Sequence, residues 1–140
     1  ADQPLLAGIK HLNRLEQVLA RSEWQDPAFA EGLVCDQQGA VIECTMSNLF
    51  ARVAGQWVTP DLGRCGVQGV MREYLLAQLA ERGQPARVAR LSRDALYQAD
   101  EVFCCNSLIG VWPVVRLDDR VWQVGGETRL LQSLAEQVYL

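Results

Sequence analysis

Between Gly32 and Pro60 the apolar residues come in four short bursts divided by turn-forming residues, which is the pattern of paired strands. Leu33-Val34-Cys35 runs into Asp36-Gln37-Gln38-Gly39, whose polar and glycine content suits a turn, and then into Ala40-Val41-Ile42-Glu43-Cys44. Leu49–Val53 and Gln56–Thr59 flank Ala54-Gly55, and Pro60, which has no ladder donor, closes the second pair. Two successive hairpins predict an antiparallel sheet.

The rest of the chain adds helices to that sheet. Leu12, Leu15, Val18 and Leu19 recur at helical spacing over 9–22, and Val70, Tyr74, Leu75 and Leu79 do so over 70–82, where Gly83 ends the run. Ser92 can cap a short helix through Tyr97, and Gly125-Gly126 leads into a last helix toward Leu140. Residues 86–91, 101–105, 111–116 and 121–124 read as further strands, with a turn at Asp118-Asp119; 101–105 is nearly all apolar and therefore interior. The expectation is one α/β domain of mixed α+β type, with seven or eight short strands and three principal helices.

Composition narrows the function classes. A chain of 140 residues, 49% apolar and 21% charged, builds one core. Thirteen Lys and Arg against seventeen Asp and Glu give a net charge of −4, so charge-driven nucleic-acid binding falls away and small molecules move up. No segment has the roughly 20 apolar residues of a membrane-spanning helix. The five cysteines form no C-x-x-C pair and share the chain with one histidine, which argues against a structural metal and for reduced thiols in a cytoplasmic protein. Ala1-Asp2-Gln3-Pro4 lacks both a secretory pattern and an initiating Met, so a processed or partial polypeptide is expected.

Four places carry candidate chemistry. Lys10 lies between an apolar approach and a helix start; burial there would supply the free amine that a Schiff base needs, whereas a solvated lysine would be inert. Glu43 sits in an apolar strand. If Val41 points inward, strict alternation turns Glu43 inward too, where a protonated pyridine nitrogen would be a fitting partner; the opposite parity leaves both on the wet face. Gly66-Val67-Gln68-Gly69-Val70-Met71-Arg72 enters a helix, so its backbone N–H groups can receive a phosphate or simply turn the chain. Asn106-Ser107 follows the interior strand and offers a hydroxyl to an anion, or a polar turn that satisfies itself.

The order of these motifs resembles the fold-type IV pyridoxal-phosphate enzymes, which include branched-chain and D-amino-acid aminotransferases and aminodeoxychorismate lyases. Gly8-Ile9-Lys10-His11-Leu12-Asn13-Arg14, Glu43-Cys44 with Ser47-Asn48-Leu49-Phe50, Gly69-Val70-Met71-Arg72 and Cys105-Asn106 are most similar to the lyases. The resemblance implies a mixed, partly barrel-like twisted sheet with packed helices, the larger C-terminal domain of such an enzyme. Residues 1–8 would be an interdomain connection and 9–140 the cofactor-binding domain, with a small N-terminal domain absent from this chain. It implies pyridoxal 5′-phosphate as cofactor, bound covalently by Lys10, with Glu43 at the pyridine nitrogen, the Val70 and Met71 amides on the phosphate, and Ser107 with Asn106 beside it. It further implies conversion of 4-amino-4-deoxychorismate to 4-aminobenzoate and pyruvate in folate synthesis by a cytoplasmic homodimer. A transaminase acting on D- or branched-chain amino acids is the alternative, and a non-catalytic binding domain is a third reading.

Overall fold

The structure is a computed structural model that describes residues 32–44, 47–62 and 69–139. The helix expected over 9–22 lies outside the described residues, and Lys10 with it.

Local chemistry sets both early hairpins. Asp36 Oδ1 accepts from Gln38 N–H at 2.8 Å and Ala40 N–H at 2.9 Å, and Gly39 takes φ 84°, so β1 (Leu33–Cys35) folds back as β2 (Ala40–Cys44). Strands β3 (Asn48–Val53) and β4 (Gln56–Pro60) turn through Ala54 at φ 51° and Gly55 at φ 79°, the left-handed pair that matches strand twist. Helix α1 (Val70–Glu81) then carries the chain to β5 (Arg87–Ala89), which pairs parallel to β4 and so needs such a crossover.

The expected strand over 86–91 is two strands. β5 joins the larger sheet, and after Arg90 the chain passes to β6 (Leu91–Ser92), which pairs with β2. Ser92 Oγ accepts from Ala95 N–H at 3.1 Å and caps α2 (Arg93–Tyr97), as its position predicts. β7 (Glu101–Asn106) and β8 (Gly110–Pro113) form the next hairpin. The strand expected over 111–116 stops at Pro113; beyond it β9 (Arg116–Leu117) and β10 (Arg120–Val121) make a two-residue ribbon around Asp118. Helix α3 (Gly126–Glu136) ends in a 3-10 turn, Gln137–Tyr139.

The strands form a five-stranded sheet in the order β5-β4-β3-β7-β8, a three-stranded sheet β1-β2-β6 and the β9-β10 ribbon, and no closed barrel forms among the described residues. Period-two alternation divides the core in two. From β3 and β7, Phe50, Phe103 and Cys105 meet Met71, Leu75 and Leu79 of α1 and Leu131, Leu134 and Ala135 of α3. The opposite face sends Leu49, Ala51, Val102 and Cys104 against Val41, Leu91, Leu96 and Trp122. Phe50 and Phe103 stack with centroids 4.9 Å apart, and Trp57 meets Phe103 edge-on at 5.1 Å. No described helix is long and apolar enough to cross a membrane, a statement confined to helices.

Candidate functional site

The β3–β7 pair defines the two ends of the main sheet. Its register runs from Asn48 opposite Cys105 to Arg52 opposite Glu101. Asn48, Phe50 and Arg52 share parity, so all three belong to the face that carries the helices.

At the Asn48 end the sheet receives the start of α1. Gly69 N–H donates to Asn48 Oδ1 at 3.0 Å, and a Cβ on Gly69 would lie 2.5 Å from that oxygen, so only glycine permits this approach. The helix has no side-chain cap of its own, and its ladder begins with Glu73 N–H to Gly69 C=O. The N–H groups of Val70, Met71 and Arg72 therefore lie ahead of the ladder, at the positive end of the helix dipole. Val70 is 78% exposed while Met71 is buried, so the end of the helix reaches solvent on one side.

Arg72 follows those amides, its charge paired with Glu73 in the same turn. Its guanidinium is buried, donates to the Pro60 carbonyl at 3.2 Å and to Glu73 Oε1 at 2.8 Å, and leaves Nε without a hydrogen-bond partner among the described residues. Burial pushes the Cys105 thiol far above its ordinary 9.0; neighbouring Cys104 adds to the rise and Arg72 opposes it.

Glu43 arrives at the same end from the second sheet. The β1–β2 register shifts so that Val34 faces Glu43 but Cys35 faces Val41, which makes Ile42 an extra, bulged residue. Strict alternation from Val41 to Glu43 accordingly fails: Val41 and Cys44, three apart, join the same apolar cluster, and Ile42 packs on Leu62 instead. Glu43 is nonetheless buried, because all of β2 is covered. Cys44 Sγ lies 2.7 Å from Cys104 Sγ, and Cys104 adjoins Cys105, the register partner of Asn48.

The β7–β8 turn completes the neighbourhood. Asn106 Oδ1 accepts from Leu108 and Ile109 N–H, each at 2.8 Å, so its side-chain carbonyl shapes the turn, and Gly110 closes it at φ 68°. Ser107 is exposed at that turn. Of the residues singled out in the sequence, Glu43, Val70, Met71, Asn106 and Ser107 thus belong to segments that meet around one sheet end, and Lys10 lies outside the described residues. Asn48 and Arg72 appeared in the sequence only as members of motifs; the parity that Asn48 shares with Phe50 is the signal that marks it.

The chain is similar to proteins of known name over most of its length. It is 44% identical over 135 residues to an aminodeoxychorismate lyase of Vibrio harveyi, covering 94% of this chain and 50% of that protein. The crystal structure of 4-amino-4-deoxychorismate lyase from Pseudomonas aeruginosa superposes with a TM-score of 0.94 at 53% identity, over 97% of this chain and 50% of that one. A T.th. branched-chain amino acid aminotransferase solved with pyridoxamine 5′-phosphate matches at a TM-score of 0.82 and 27% identity, over 89% of this chain and 42% of that one. The chain therefore spans about half the length of the lyases it matches. The sequence pattern of the amino-transferase class IV proteins matches residues 1–117, and the chain belongs to that family.

Proposed function

We propose that this chain is the cofactor-binding part of a pyridoxal-phosphate-dependent lyase that converts 4-amino-4-deoxychorismate to 4-aminobenzoate and pyruvate. The observation that carries the reading is 53% identity, at a TM-score of 0.94, to a lyase of that name. In this reading residues 9–140 form the cofactor-binding domain, 1–8 connect it to a smaller N-terminal domain, and the whole acts in the cytoplasm as a homodimer in folate synthesis.

The described residues fit the cofactor. Three amide N–H groups ahead of the α1 ladder suit a phosphate, and Gly69, having no Cβ, lets Asn48 hold the turn that presents them. Buried Glu43 suits a protonated ring nitrogen, whose proton it would hold in place. Ser107, exposed beside this end of the sheet, would offer its hydroxyl to the phosphate, while Asn106 keeps the turn in shape. Lys10 would carry the cofactor and, once its amine is released, take the proton from the substrate carbon bearing the amino group. When bound, pyridoxal phosphate would supply an electron-accepting ring next to that carbon. The enolpyruvyl group would leave with the electrons of its C–O bond and take up one proton, matching the one Lys10 removes, to become pyruvate, and the ring left behind would be aromatic.

Relatives at 27% identity are branched-chain aminotransferases, which favours transamination as the second reading. Assay of the intact protein separates the two. 4-Aminobenzoate and pyruvate in equal amounts are expected from aminodeoxychorismate; keto-acid formation from D-alanine or branched-chain amino acids, with no 4-aminobenzoate, would reject the lyase.

A further inference from the structure

Among the described residues the two long helices begin against opposite ends of the β3–β7 pair, and the sheet meets them with different charges. At one end the Glu101 carboxylate accepts the α3 backbone and hydroxyl of Thr128, so the positive end of that dipole is already neutralised. At the other end the α1 start is held by Asn48, which offers an oxygen of the same hydrogen-bonding capacity and no charge.

We propose that Asn48 is a positioning residue whose neutral tether to Gly69 fixes the start of α1 while reserving its electrostatic capacity for the cofactor phosphate. The proposal rests on the pyridoxal-phosphate reading above. A carboxylate at position 48 would make the same hydrogen bond and act as a resident anion, stabilising the helix but repelling the phosphate. An apolar side chain would leave Gly69 N–H unmet and release the helix start from the sheet. The close approach at Gly69 makes the tether stiff: any Cβ there must push the Asn48 amide aside. Arg72 holds the same turn from the other side through the Pro60 carbonyl, so the amides of Val70 and Met71 are braced against both β3 and β4.

The test compares Asn48→Asp, Asn48→Ala and Gly69→Ala in the intact protein, by titration with pyridoxal phosphate and with pyridoxal, which lacks the phosphate. Asn48→Asp is expected to keep or raise the urea midpoint of the cofactor-free protein, to weaken pyridoxal phosphate about tenfold and to leave pyridoxal within about twofold. A merely structural asparagine would move both ligands together, and an unchanged ratio of the two affinities overturns the proposal. Asn48→Ala and Gly69→Ala are expected to speed amide hydrogen exchange at residues 69–71 without cofactor and to weaken only the phosphorylated ligand. Unaltered exchange in both overturns the tether even if Asn48→Asp does not fold. Failure of the unsubstituted protein to bind pyridoxal phosphate would instead strike the reading beneath the proposal, and the exchange measurement would still report on the tether.

Discussion

Thr128 donates twice to one oxygen of Glu101, through its backbone N–H at 2.8 Å and its hydroxyl at 2.7 Å. Both residues are buried, and Arg52 reaches the other carboxylate oxygen at 3.7 Å. Removing the acid in Glu101→Ala strands two buried donors and is expected to cost about 2–4 kcal/mol. Glu101→Gln keeps an acceptor but loses the charge, and should cost about half as much. Urea unfolding at neutral pH checks both; an undiminished midpoint in Glu101→Gln would mean that the charge contributes nothing to capping, and a loss equal to that of Glu101→Ala that a neutral acceptor replaces none of it.

Ala54 occupies a left-handed turn position at φ 51°, where an L side chain is strained. Ala54→Gly is expected to raise stability by about 0.5–1 kcal/mol, relief of strain exceeding the added freedom of the unfolded chain. Thermal unfolding of the intact protein reads the sign, and a lowered midpoint contradicts it.

Phe103 lies between the Phe50 stack and the Trp57 edge, with no exposed surface. Phe103→Ala should cost about 3–5 kcal/mol, and Phe103→Leu considerably less. Similar losses for the two would imply that the site collapses around the deleted ring, which would show as an equally protected amide pattern by hydrogen exchange.

Burial raises the Cys105 thiol above its ordinary 9.0. Below that value both folded and unfolded chains keep the proton, so this group leaves stability flat; above it the unfolded chain loses the proton first and stability falls as pH rises. The urea midpoint should therefore hold from neutrality to about pH 8.5 and decline beyond it, with a shallower decline in Cys105→Ala. Identical alkaline slopes in the two proteins would remove Cys105 from the account.

The early hairpins were legible because their turns are chemically local: Asp36 and Gly39 act within four residues, as does the Ser92 cap of α2. The Gly83 helix stop is local in the same sense. What remained hidden depended on partners far along the chain. Arg87–Ala89 finds β4 through a parallel pairing that no short-range pattern announces, so 86–91 reads in the sequence as a single strand. The bulge at Ile42 exists only in the register with β1, and it breaks the alternation that would otherwise orient Glu43. Glu101 looked like the polar start of an apolar strand, yet its carboxylate serves a helix 27 residues later. The helix entry at Gly69-Val70 was visible as a composition, whereas the sheet residue that holds it, Asn48, needed knowledge of which face of β3 the helices cover.

β3 sits at the centre of the main sheet, hydrogen-bonded to β4 on one side and to β7 on the other, and β7 follows about 50 residues downstream. During synthesis the ribosome releases the β3–β4 hairpin well before its second neighbour exists. For that interval the nascent chain presents a bare strand edge together with the rings of Phe50 and Trp57, a surface suited to chaperones and to self-association. Fragments that stop short of residue 106 should accumulate as insoluble material, since the strand that sheathes this edge is the last part of the sheet's centre to be translated.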